Sequence, residues 1–202
     1  MANYLCKEYD FKIESGQMLL KFIIEPFGRC FRPGNFQIYE MSDGALTLFW
    51  NQGLLIKDEV DLLQKVGRDE ESVEDIRKRD EYRTLCREMC PIMTRIITEE
   101  ERDLLDEVLE MNIPMETKAY DYHVRDCGSV SMILLKNGIG HTMEGLRVLP
   151  EKWKPFVILA NTITDNCGVR EEHRNELFVH TPAIYSEDIE IETPLFLKDL
   201  LK

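Results

Sequence analysis

The residues best suited to chemistry gather from Met115 onward. All four histidines, His123, His141, His173 and His180, lie there, together with Cys127 and Cys167. Sulfur and imidazole are the ligands that zinc prefers. A thiol beside a histidine is also the pair that makes a cysteine nucleophile. The spacing supports neither use. His123 and Cys127 are four residues apart and Cys167 and His173 are six apart, with no Cys-x-x-Cys or His-x-x-x-His pair to anchor a site. Cys127 and Cys167 each precede a glycine, which marks a turn as readily as a strained nucleophile. Scattered histidines and buried thiols are therefore expected, with no metal and no cofactor.

Other motifs are equally incomplete. Glu116-Thr117-Lys118 is a Glu-x-Lys unit of the kind that metal-dependent nucleases place beside an aspartate. Asp103 or Asp106 would supply that aspartate only if the preceding helix folded back. Gly138-Ile139-Gly140 lacks the following glycine of a dinucleotide fingerprint, and no lysine-bearing phosphate loop is present. Ser129 and Ser131 have no Gly-x-Ser-x-Gly elbow around them. No complete catalytic set is legible.

Charge is the more informative property. The 202 residues carry a formal net charge of −13. Phosphate backbones are bound by clustered lysine and arginine, so direct nucleic-acid binding is opposed. An anionic membrane surface is opposed for the same reason. A basic protein partner is favoured, because complementary fields speed encounter. One segment concentrates the acid. Glu99, Glu100, Asp103, Asp106, Glu107 and Glu110 share the polar side of a helical pattern, opposed only by Arg102. Glu99, Asp103, Asp106 and Glu110 are the candidate contacts with a basic groove. A second candidate is the loop Pro26–Gly34, where Phe27, Arg29, Phe31 and Arg32 combine aromatic and arginine side chains. Such residues anchor interfaces. They equally serve a fold when the rings plug a core and the arginines pair with nearby acids.

Elements to position these residues can be read from periodicity. Tyr9, Phe11 and Ile13 alternate with polar residues, and Met18–Ile24 returns after Ser15-Gly16. Phe36–Met41 and Ala45–Trp50 flank Ser42-Asp43-Gly44, whose Asp-Gly predicts a tight hairpin turn. A helical block is expected over about 57–112. Within it Gly67 ends one helix, Ser72 caps the next, Pro91 ends that one, and Thr98 to Glu101 forms a capping box for a helix with Leu104, Leu105 and Val108 inward. Strands follow at Tyr120–Val124, Val130–Leu135, Phe156–Ala160, Leu177–Ile184 and Ile189–Ile191. A short helix opens at Thr193-Pro194.

Strands, then helices, then strands predict an α+β fold: an antiparallel sheet of N-terminal hairpins and C-terminal strands, with the central helices on one face. The length suits a single domain over 1–202. The expected function is that of a small acidic interaction protein that binds and inhibits a more basic protein, as an immunity or anti-defence protein does. A hydrolase-like enzyme built on the His/Cys-rich block, or a regulatory subunit that forms a homodimer through its sheet, are the alternatives. No basic segment followed by an apolar run opens the chain, and no apolar run approaches the roughly 20 residues that span a bilayer. A cytoplasmic location with reduced thiols is expected. All six cysteines should then react with a thiol reagent after denaturation without reduction; fewer than six would reveal a disulfide.

Overall fold

The computed structural model describes residues 11–25, 32–67, 72–112, 116–120, 129–136, 139–146 and 153–169. The chain divides into two compact units, Met1–Thr98 and Glu99–Lys202, and the architecture is α+β.

The first unit is built on strands β1 (Gly16–Glu25), β2 (Gly34–Met41), β3 (Leu46–Gln52) and β4 (Met93–Ile96), in the order β4-β3-β2-β1 and antiparallel throughout. The β2–β3 turn forms where Asp-Gly predicts it. Gly44 has φ +79°, which only glycine adopts without strain, and Asp43 accepts from the Ala45 N–H (2.9 Å). Alternate residues then divide between the two faces of the sheet. Leu20, Phe22, Ile24, Phe36, Ile38, Leu48 and Trp50 are buried on one face. Phe22 and Phe36 are register partners and stack with centroids 4.8 Å apart.

The other face of β2 carries Asn35, Gln37 and Tyr39, and these are buried too. Polar groups out of water must be hydrogen-bonded, and here they bond one another. Tyr39 donates to Gln37 Oε1 (3.0 Å), and Gln37 Nε2 donates to Asn35 Oδ1 (3.3 Å) and to the Phe11 carbonyl (3.0 Å). The Ile13 N–H donates to the Tyr39 hydroxyl (3.4 Å). Phe11 to Ile13 is therefore not the strand its alternation predicts. Its backbone groups are taken by side chains of β2, and the strand begins at Gly16.

Helices α1 (Ile56–Val66), α2 (Val73–Arg77) and α3 (Asp80–Met89) meet this side of the sheet at Ile23 and Asn51. Leu54, Leu62, Leu63, Val66, Ile76, Tyr82, Cys86 and Cys90 form their core, with Ile23 of β1 packed against it. Asn51 Nδ2 donates to the Cys90 carbonyl (3.4 Å), which fixes the end of α3 to β3. Cys86 and Cys90 are buried thiols on one apolar face, as their spacing implies. Ser72 accepts from the Asp75 N–H at the start of α2 (3.2 Å). Gly67 ends α1 for a different reason than a left-handed cap: its φ is −77°, and a Cβ there would lie 2.8 Å from Ile76 Cδ1 and 2.9 Å from the Leu63 carbonyl.

One buried carboxylate joins the three helices. Glu59 of α1 is fully buried, and its Oε1 accepts from Arg77 Nη2 of α2 (2.6 Å) and from the Tyr82 hydroxyl of α3 (3.1 Å). Burial lowers the Arg77 pKa, but the charge and hydrogen bond of Glu59, helped by Tyr82, outweigh it and leave the pKa raised. A raised pKa means this contribution is fully present below the ordinary arginine value and is lost only above it.

Two further expectations of element type are corrected. The helical block is interrupted by β4. Ile92 to Ile97 is rich in β-branched residues and follows Pro91, and strand pairing to β3 wins over helix there. Phe156–Ala160 is not a strand but part of α5 (Lys154–Asn166). A short apolar run is ambiguous between a buried strand and a buried helix. Pro155 near the helix start and the burial of Phe156, Val157, Leu159, Ala160, Ile163 and Thr164 settle it as helix.

The second unit contains α4 (Glu99–Glu110), β5 (Glu116–Tyr120), β6 (Ser129–Lys136), β7 (Ile139–Leu146) and α5, with strand order β6-β7-β5. The β6–β7 pair is an antiparallel hairpin, whereas β5 runs parallel to β7, so this part is not purely antiparallel as expected. The candidate strands Leu177–Ile184 and Ile189–Ile191 and the helix after Thr193 lie outside the described residues.

Removing one member of a buried, bonded charge pair leaves the other uncompensated. Glu59→Ala should therefore destabilise the protein by about 3 kcal/mol, and Tyr82→Phe by about 1.5 kcal/mol, in urea titrations followed by circular dichroism. If Glu59→Ala is neutral, the carboxylate does not join the helices.

Candidate functional site

Helix α4 has two unlike sides. Leu105, Val108 and Glu101 are buried. Glu101 Oε1 accepts from Asn166 Nδ2 of α5 (2.9 Å), which ties the first turn of α4 to the last turn of α5. Glu99, Glu100, Asp103, Asp106, Glu107 and Glu110 are exposed. The positions 99, 103, 106 and 110 advance by four, three and four residues. At 100° per residue they lie within about 60° of arc. Four carboxylates thus form one narrow stripe along the helix.

That stripe is unfavourable for the helix itself. Neighbours three and four apart on a helix repel when their charges are alike, by roughly 0.2–0.5 kcal/mol per pair. Acids suit the first turn, where the helix dipole is positive. Glu107 and Glu110 occupy the opposite end, and the last turn has no basic residue. Among the described residues none of the six exposed acids is in an ion pair. Among the described residues of the second unit no basic side chain pairs with these acids to offset the repulsion, so the contacts described there do not account for the stripe.

The other predicted contacts belong to the first unit of the chain. Arg32 lies in the first unit and forms an ion pair with Asp58 of α1 (3.5 Å), both side chains about one-third exposed. This is the structural role open to the loop arginines, and such a pair at the surface contributes little. Phe27, Arg29 and Phe31 lie outside the described residues. So do His123, Cys127, His173 and His180. His141 lies on β7 and Cys167, a thiol, at the end of α5, both half-buried. Among the described residues no group of three or more His, Cys, Asp or Glu is arranged to hold a metal ion. Glu116 and Lys118 lie on β5, while Asp103 and Asp106 sit on the exposed side of α4.

The sequence reading missed a different surface. Met89, Ile92, Met93 and Ile96 are exposed around β4, Ile96 at 64%. The signal was available: Pro91 followed by a run whose only charge is Arg95.

No protein-family model matches the chain, and no curated protein shows significant similarity to it. Function must therefore be argued from these surfaces.

The two sides of α4 should respond differently to substitution. Asp103→Lys, Asp106→Lys and Glu110→Lys together should change stability by no more than about 0.5 kcal/mol, because the positions are exposed. Leu105→Ala should cost about 2–5 kcal/mol through the cavity it leaves. Thermal unfolding of both variants checks this, and a triple reversal as damaging as Leu105→Ala would show that the acids hold the fold.

Proposed function

We propose that the protein is a non-enzymatic interaction protein that binds a more basic protein through the acidic face of α4, and inhibits it in the manner of an immunity or anti-defence protein. The observation that carries this reading is the carboxylate stripe itself: four exposed acids in line, in no ion pair among the described residues, continuing to the helix end where the dipole opposes them. Carboxylates in a row present a basic groove with the same charge sign as a phosphate track. A groove that binds phosphate is thereby blocked. The net charge of −13 adds long-range steering toward such a partner. Among the described residues no helix is long and apolar enough to cross a membrane.

Recovery of the partner from the source cell, followed by binding kinetics, tests the proposal. Binding should weaken steeply with salt, because the screening length falls from about 10 Å at 0.1 M to about 3 Å at 1 M. Reversing Asp103, Asp106 and Glu110 to lysine should slow association more than it speeds dissociation, since charges at a rim act mainly on encounter. An unchanged association rate would reduce the stripe to a solvated surface.

A further inference from the structure

Among the described residues, strand β4 is an edge of the sheet in the first unit, bonded to β3 on one side. The Ile97 N–H donates to the Leu46 carbonyl (3.1 Å). Hydrogen-bonded pairs alternate along an antiparallel ladder, so Arg95 and Met93 turn their backbone groups toward β3. Thr94 and Ile96 turn theirs away from it. An outward row of N–H and C=O groups is a template for another strand, and proteins commonly guard such edges with charge. Arg95 guards one group: its Nη1 donates to the Ile96 carbonyl (3.1 Å). A carbonyl has a second lone pair, and the guard does not cover the outward N–H groups.

The side chains identify the occupant. Ile92, Thr94 and Ile96 are alternate residues, and all are exposed, Ile92 at 49% and Ile96 at 64%. Placed antiparallel to itself about a two-fold axis through Thr94, this segment pairs Ile92 with Ile96 of the second copy twice, and Thr94 with Thr94. Apolar and threonine pairs across strands are favourable. The same register sets Arg95 opposite Met93, so the two arginines do not face each other. A chain of net charge −13 resists its own copy over most of its surface. From Cys90 to Thr98 the only charge is Arg95, so here two copies can meet with little local repulsion. We propose that β4 is a homodimerisation edge, at which a second copy of this chain adds its own β4 antiparallel about Thr94. The patch is small beside the roughly 800 Å² per partner of a standard interface, so the dimer is weak and concentration-dependent. This inference is independent of the acidic face of α4.

Sedimentation equilibrium of the full chain, from about 1 to 300 µM, should show a monomer–dimer equilibrium in that range. Salt should strengthen it, because screening relieves like-charge repulsion; binding of a basic partner should respond in the opposite direction. Ile96→Lys should weaken the dimer more than about ten-fold, even though it lowers the net negative charge. Thr94→Pro removes only an outward N–H and should do the same while leaving the β3 ladder whole. A chain that stays monomeric at every concentration overturns the proposal, and so does a dimer that survives Ile96→Lys. Circular dichroism monitors folding; if Thr94→Pro unfolds, Ile96→Lys decides alone.

Discussion

Strand β2 is buried on both faces from Gly34 to Tyr39, and three of the five side chains so enclosed, Asn35, Gln37 and Tyr39, are polar. That condition governs the first unit. On one side Phe36 and Ile38 require apolar neighbours, which Phe22, Leu20 and Leu48 supply. On the other, Asn35, Gln37 and Tyr39 require partners, because a buried polar group without one costs on the order of 1–3 kcal/mol. They meet part of this need among themselves. The remainder falls on the backbone of Phe11 and Ile13, which is why a segment patterned as a strand lies across the sheet instead of extending it.

The helices on that side of the sheet meet the same requirement at a second place. Glu59 is buried with Arg77 and Tyr82, so α1, α2 and α3 share a charge as well as an apolar core. A buried ion pair is not in general more stable than well-packed hydrocarbon. What it adds is direction: a carboxylate accepting from two fixed donors holds the short helix α2, five residues long, in one place. Such a helix has little stability of its own.

The two surfaces argued to be functional differ in physics. The face of α4 is charged, exposed and internally repulsive, so it acts at long range and depends on ionic strength. The β4 edge is nearly uncharged and presents backbone hydrogen-bonding groups, so it acts only at contact. A like-charged copy is repelled by the first and accommodated by the second, and a basic partner is attracted by the first.

Features set by local rules were legible in the sequence. The Asp43-Gly44 turn, the Ser72 cap, the buried thiols of Cys86 and Cys90, and the division of α4 into an acidic side and a Leu105/Val108 side each depend on residues within a few positions of one another. So did the acidic candidate site, because exposure follows from helical period and charge. The rest depended on residues distant in the chain. Met93–Ile96 became strand because β3 offered a ladder, and Phe156–Ala160 became helix within a longer buried segment. The composition of a short apolar run fits both states, and only its neighbours decide between them. Nothing local in the sequence marks Gln37 and Glu59 as buried. Their burial was decided by partners 18 to 26 positions away in the sequence, Arg77 for one and Phe11 for the other, since a polar side chain leaves water only where the fold brings it a matching group.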